Sequence, residues 1–97
     1  MKKQIWKFDL NVRPYFKLEM PKDSVIVSVQ SENNRGVMWA IVNIEAEKEI
    51  RTFSIYGTGH SMPSDGINYI GTYQEKDSGI DLVWHLFENL TPNTQTK

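Results

Sequence analysis

Apolar residues recur at every second position through most of this sequence, and that period suits a half-buried β-strand, not a helix. Residues 4–10 (QIWKFDL) set Trp6, Phe8 and Leu10 on one face against Ile5, Lys7 and Asp9 on the other. Residues 15–20 continue with Phe16, Leu18 and Met20, opened by Pro14 and closed by the turn residues Pro21-Lys22-Asp23. Residues 25–30 (VIVSVQ) are β-branched at four of six positions, which suits a pleated surface. Polar, Asn-rich residues 31–36 read as a hairpin loop. The almost unbroken apolar run 37–44 (VMWAIVNI) predicts a strand covered on both faces.

Residues 45–49 (EAEKE) favour a helix by composition, but five residues cannot nucleate one, so a charged loop or single turn is expected. Strands follow at 50–56, 68–74 and 80–88, with a wide turn over 57–66 and a second turn over 75–79. Turn signals about every 8–12 residues predict an all-β chain, a small antiparallel sandwich or barrel of about seven strands. One domain is expected over residues 1–90, with a flexible polar tail at 91–97.

Size and composition narrow the function. A chain of 97 residues buries only about 60–65% of the surface its unfolded form exposes, so one modest core is the limit. Cysteine is absent, which removes disulfides, thiolate nucleophiles and Cys-based zinc sites. Eleven Lys and Arg against twelve Asp and Glu give a formal charge of −1, which argues against bulk binding to duplex nucleic acid. A small anionic ligand needs only one or two placed cations and stays open. No apolar run is long enough for a signal peptide or a transmembrane helix, so an intracellular protein with no membrane partner is expected.

The most unusual stretch is Tyr56-Gly57-Thr58-Gly59-His60. Two glycines around a threonine allow an anion-binding turn of backbone amides, with the Thr58 hydroxyl and His60 as added donors. A strand ending in a glycine bulge is the plainer reading. No Lys or helix follows, so this is not a phosphate loop. His85 aligns with Val83 and Phe87 and opposite to Trp84, a place that suits a hydrogen-bonded, half-buried imidazole. His60 and His85 form no closely spaced metal-binding pair. Arg51 faces the same way as Phe53 and Ile55. It either pairs with Glu49 or Glu88 or reaches an anion.

Eleven aromatics (three Trp, four Tyr and four Phe) exceed what so small a core encloses. Most are expected inside, with Tyr15, Tyr56, Tyr69 and Tyr73 partly exposed and able to stack on bases.

The ordered series Trp39, Arg51-Thr52-Phe53, Gly57-Thr58-Gly59-His60, Tyr69-Ile70-Gly71-Thr72 and Trp84-His85-Leu86-Phe87-Glu88 then gains meaning. With Ile5-Trp6-Lys7-Phe8 and Met20-Pro21, it resembles a widespread family of small bacteriophage proteins, over roughly residues 5–88. Members are understood as sponges of the anti-CBASS type, which sequester cyclic nucleotide immune signals without cleaving them. The resemblance implies a cyclic dinucleotide such as cGAMP, or a related cyclic ADP-ribose species, as partner. It implies action in the host bacterial cytoplasm, no cofactor and no catalytic residues. It would set Gly57, Thr58, Gly59 and His60 beside phosphate or ribose, Arg51 as a charge, and Trp39, Tyr56, Trp84 or His85 against base. The chain departs from the family at residues 11–15, 31–36, 45–49 and beyond Glu88. Nanomolar capture needs about 12 kcal/mol, more than a shallow monomer surface supplies, so a homo-oligomer is expected. A host-protein or virion interaction module is the alternative, and a small hydrolase using His60 and His85 a third.

Overall fold

The computed structural model describes residues 2–90, and the 91–97 tail lies outside them. Its elements are strands: β1 (Lys3–Asp9), β2 (Phe16–Pro21), β3 (Val25–Ser31), β4 (Gly36–Asn43), β5 (Lys48–Gly57), β6 (Ile67–Asp77) and β7 (Ile80–Asn89). They form two antiparallel sheets, ordered β1-β4-β3 and β2-β5-β7-β6. The slab measures 45 × 36 × 15 Å, as two layers about 10 Å apart require. The all-β expectation holds, as an open sandwich and not a closed barrel.

The alternation read in the sequence fills the space between the sheets. Leu10, Met20, Met38, Ala40, Val42, Phe53 and Leu86 are fully enclosed. Phe16 stacks on Phe53 with ring centroids 5.5 Å apart, tying edge strand β2 to β5. β4 departs from expectation. Its inward residues Met38, Ala40 and Val42 are buried, but Trp39 and Ile41 are only half-buried. β4 is the middle strand of a sheet whose outer side carries exposed Ile5 and Val25, in register with Ile41.

Three turns are tighter than the sequence suggests. β6 continues through Glu75–Asp77, and only Ser78-Gly79 turn, both with positive φ (53° and 80°), the type I′ geometry. In the β3–β4 hairpin Asn33 and Asn34 also take positive φ, and Glu32 and Arg35 exchange backbone hydrogen bonds. The Asn34 amide then clasps the free edge of β6, donating to Lys76 O (2.9 Å) and accepting from Lys76 N–H (2.6 Å). Lys48 and Glu49 belong to β5, leaving a shorter turn that Asn43 Oδ1 caps by accepting from Glu45 N–H (3.0 Å).

Two β-bulges break the expected alternation, one between Ile26 and Ser28 and one between Tyr69 and Gly71. The first brings Ile26 and Val29, three residues apart, to the core side, while Val25 and Val27 remain exposed. Along β3 and β6 the sheets approach so closely that glycine is required. A Cβ on Gly36 would lie 2.4 Å from the Tyr73 ring, and one on Gly71 would lie 2.9 Å from Val29. Lying over Gly36, Tyr73 is 3% exposed and not half-open as expected. Its hydroxyl is buried without a partner among the described residues. Burial pushes that phenol well above its ordinary value, with the Glu75 charge adding.

Gly36→Ala should destabilise the fold by about 1–3 kcal/mol through overpacking. The cost should shrink in a Tyr73→Leu background, as a double-mutant cycle in urea would read. Equal costs in both backgrounds would disprove the contact. Tyr73 also sets an alkaline limit. Its folded pKa is raised above its unfolded value near ~10, so its contribution is intact below that pH and is lost as pH rises toward the folded value. Tyr73→Phe should match or exceed the parent at neutral pH and lose less stability above pH ~10. Parallel losses in the two proteins would refute this.

Candidate functional site

The YGTGH segment ends β5 and turns at the edge of the four-stranded sheet. Gly57 pairs with Trp84 on the inward side, and Tyr56 pairs with His85 on the outward side. His60 folds back over Gly57, where a Cβ would lie 2.8 Å from its ring. Gly57 N–H donates to His60 Nδ1 (3.1 Å), and His60 N–H donates to Gly57 O (3.0 Å). The neutral ring therefore carries its proton on Nε2. Of the amides in this turn, that of Gly57 is thus bonded within it. Gly59, at φ 90°, forms the exposed tip.

On the inward side His60 meets Trp84 edge-on, with centroids 6.5 Å apart. A cavity of about 350 Å³ at this end of the sheet is lined by both rings with Gly57 and Leu82 and, from the outward side, by Thr58, Asp81 and Val83. Trp84 Nε1 is buried and has no partner among the described residues.

The outward side holds a different chemistry. Thr58 Oγ1 is 2.9 Å from His85 Nε2, and Thr72 Oγ1 is 3.0 Å from His85 Nδ1. Tyr69 Oη extends the chain to Thr72 Oγ1 at 2.6 Å. Beside it, Phe87 meets Tyr56 edge-on at 5.7 Å and Tyr69 edge-on at 5.5 Å. The bulge at Ile70 makes this possible. Residues three apart on a regular strand face opposite ways, but the extra residue brings Tyr69 and Thr72 to one face.

The residues singled out in the sequence thus divide. Tyr56, Thr58 and His85 gather on the outward face; Gly57, His60 and Trp84 gather on the inward one. Trp39 lies apart, on the outer side of the other sheet between Lys7 and Ser28. Arg51 is also apart and already engaged. It donates from Nε and Nη2 to the two Glu88 carboxylate oxygens (both 2.7 Å) and from Nη1 to Ser24 O (2.5 Å). Its bonds to Glu88 hold it above its ordinary pKa against the opposing effect of burial. Thr72 and Phe87 were not among the sequence candidates. A glycine at 71 inside a β-pattern was the available signal, since glycine in a strand often marks a bulge.

A larger cavity, about 430 Å³, lies at the other end of β5, where Lys3, Lys22, Asp23 and Glu47 mix charges of both signs. It contains none of the sequence candidates. Among the described residues no three His, Asp or Glu groups are placed to share a metal ion, and no helix is long and apolar enough to cross a membrane.

A family model described as "Domain of unknown function (DUF7352)" matches residues 1–97, and the chain belongs to that family. No curated protein and no solved structure matches it.

The Arg51–Glu88 pair is 17% and 19% exposed at its side chains, between the surface and buried cases. Glu88→Ala should therefore cost roughly 1–3 kcal/mol, leaving a half-buried cation unpaired. Arg51→Met combined with Glu88→Leu should cost less than the sum of the two single changes, by urea denaturation. Unchanged stability in Glu88→Ala would return Arg51 to the list of free ligand-binding cations.

Proposed function

We propose that this chain is a bacteriophage anti-defence protein that binds a cyclic nucleotide immune signal and holds it without cleaving it, in the host bacterial cytoplasm. The ligand class is a cyclic dinucleotide such as cGAMP or a related cyclic ADP-ribose species. The observation that carries this reading is the outward face next to the GTGH turn. There, three aromatic rings adjoin a four-membered chain of hydroxyls and imidazole. Aromatic faces stack on bases at about 1–3 kcal/mol each, and hydroxyls and imidazole bond to base edges and ribose. The resemblance of the GTGH and WHLFE segments to phage nucleotide sponges supports the same conclusion.

Capture fits the imidazoles better than turnover. His60 lies over Gly57 on the Trp84 side, whereas His85 is bonded between two threonines on the other face. A two-histidine hydrolase would need both rings around one reacting atom, and here each ring is engaged by different neighbours. The binding face is open, so nanomolar capture calls for a homo-oligomer in which neighbouring copies help enclose the ligand.

A second reading, a module that binds a host protein or a virion component, has its own observation. The outer side of the three-stranded sheet exposes Ile5 (64%), Val25 (58%) and Val27 (49%) together.

Incubation with a panel of cyclic nucleotides should remove intact ligand from solution, and denaturing the protein should return it unchanged on chromatography. Ligand that never disappears would defeat the proposal; ligand that fails to return would identify an enzyme. Capture of a host protein with no nucleotide bound would favour the second reading. His85→Ala should weaken capture about tenfold or more by breaking two hydrogen bonds to its threonine neighbours.

A further inference from the structure

Resting on the nucleotide reading, we infer that the protein grips its ligand through a neutral nucleoside portion, base and ribose, on the outward face of the four-stranded sheet, and not through the phosphates. The cross-strand rows beside the GTGH turn are Ser54–Phe87–Tyr69, Tyr56–His85–Thr72 and Val83–Gln74, with Lys17–Thr52 and Glu19–Ile50 farther along the same face toward β2. None of the residues in the three rows beside the turn is Lys, Arg, Asp or Glu. At the border, Lys76 pairs with Asp81 at 3.0 Å. Arg51, the cation the sequence offered for a phosphate, faces inward and is held by Glu88. A phosphate seated on those three rows would meet no positive charge within them, Lys17 standing beyond Ser54 toward β2, and charge-assisted bonds are what make anion sites strong.

Proton counting points the same way. Thr58, neutral His85, Thr72 and Tyr69 bring four hydrogen-bonding protons to their chain, and its three links occupy three of them. One donor remains, beside several free acceptor lone pairs. A phosphate oxygen shell wants donors only. A base edge or a ribose diol offers donors and acceptors together and can match such a chain in either direction. The rings supply the flat partner: Tyr69 is 59% exposed and stands against Phe87, which Tyr56 flanks on its other side. Thr72 and Tyr69 become ligand-selecting residues in this arrangement, fixed on one face by the bulge at Ile70.

Calorimetric titration of the full chain with adenosine, guanosine, methyl glucoside, inorganic pyrophosphate and cyclic GMP-AMP tests this at low and high salt. At least one nucleoside should bind, and its affinity should change less than about twofold over a tenfold rise in salt, because no ion pair is formed. Tyr69→Ala and Thr72→Val, checked for native circular dichroism, should each weaken that nucleoside about tenfold. Several results would overturn the inference: pyrophosphate binding without nucleoside, a steep salt dependence, binding of the glucoside alone, no nucleoside bound, or full affinity in both variants. The outcomes separate the two proposals. Cyclic GMP-AMP bound at full strength by both variants removes the platform and leaves sequestration standing. A nucleoside bound with no cyclic nucleotide captured removes sequestration and leaves the platform.

Discussion

The close approach of the two sheets along β3 and β6 governs the rest of the molecule. It exists because two side chains are missing. Gly36 leaves space for the Tyr73 ring, and Gly71 leaves space for Val29. With strands this near, the interior is thin, and interior density tolerates neither extra atoms nor voids. Phe16, Phe53 and Tyr73 are the aromatics it buries, with Trp6, Phe8 and Trp84 packed partly against it. The remaining rings stand outside that core. A chain rich in aromatics with so narrow a core must place some of them on its faces, and Tyr56, Tyr69 and Phe87 share one face.

The same contact shapes the candidate site. Gly71 must point inward toward Val29, while Tyr73 must point inward over Gly36. Counting back from Gly71 on a regular strand would turn Tyr69 inward as well, into space that β3 already fills. The bulge at Ile70 resolves the conflict by shifting the phase by one residue, which sends Tyr69 outward beside Phe87 and within 2.6 Å of Thr72. Packing between the sheets and the chemistry of the outer face are therefore set by one local irregularity. A change that regularised β6 would disturb both.

Much of this was legible in the residues, and the gaps have physical reasons. Alternation identified the strands and turn residues their limits, because burial of one face is a local, period-2 property. It also placed His85 with Phe87 and opposite to Trp84. Arg51 was legible as an ion-pair partner, yet a strand carries no mark of which carboxylate will lie across from it. Glu88 comes from a strand 37 positions away. Bulges leave little trace because an added residue changes the phase without changing the composition, and Gly71 was the one mark of the second. For the same reason the strand through residues 68–74 read as regular, and Thr72 escaped notice. Tyr73 read as a surface ring because nothing local reveals that Gly36 lies beneath it.

The GTGH turn gains its meaning from the sheet it ends. Beyond the end of β5 the chain turns back through Gly59 at φ 90°, and Thr58 and His60 reach different environments. Thr58 joins His85 outside, and His60 closes over Gly57 beside Trp84 inside. Catalysis by two imidazoles would need both within reach of one substrate atom, whereas each ring here is bonded to its own neighbours. Recognition has no such requirement. A threonine held by an imidazole, itself held by a second threonine and a tyrosine, forms a pre-ordered row of hydrogen-bonding groups beside fixed rings. Pre-ordering lowers the entropy lost when a ligand binds, which matters most for a protein too small to surround its ligand alone. On the proposed reading, what this surface offers a flat ligand is shape and hydrogen-bond complementarity.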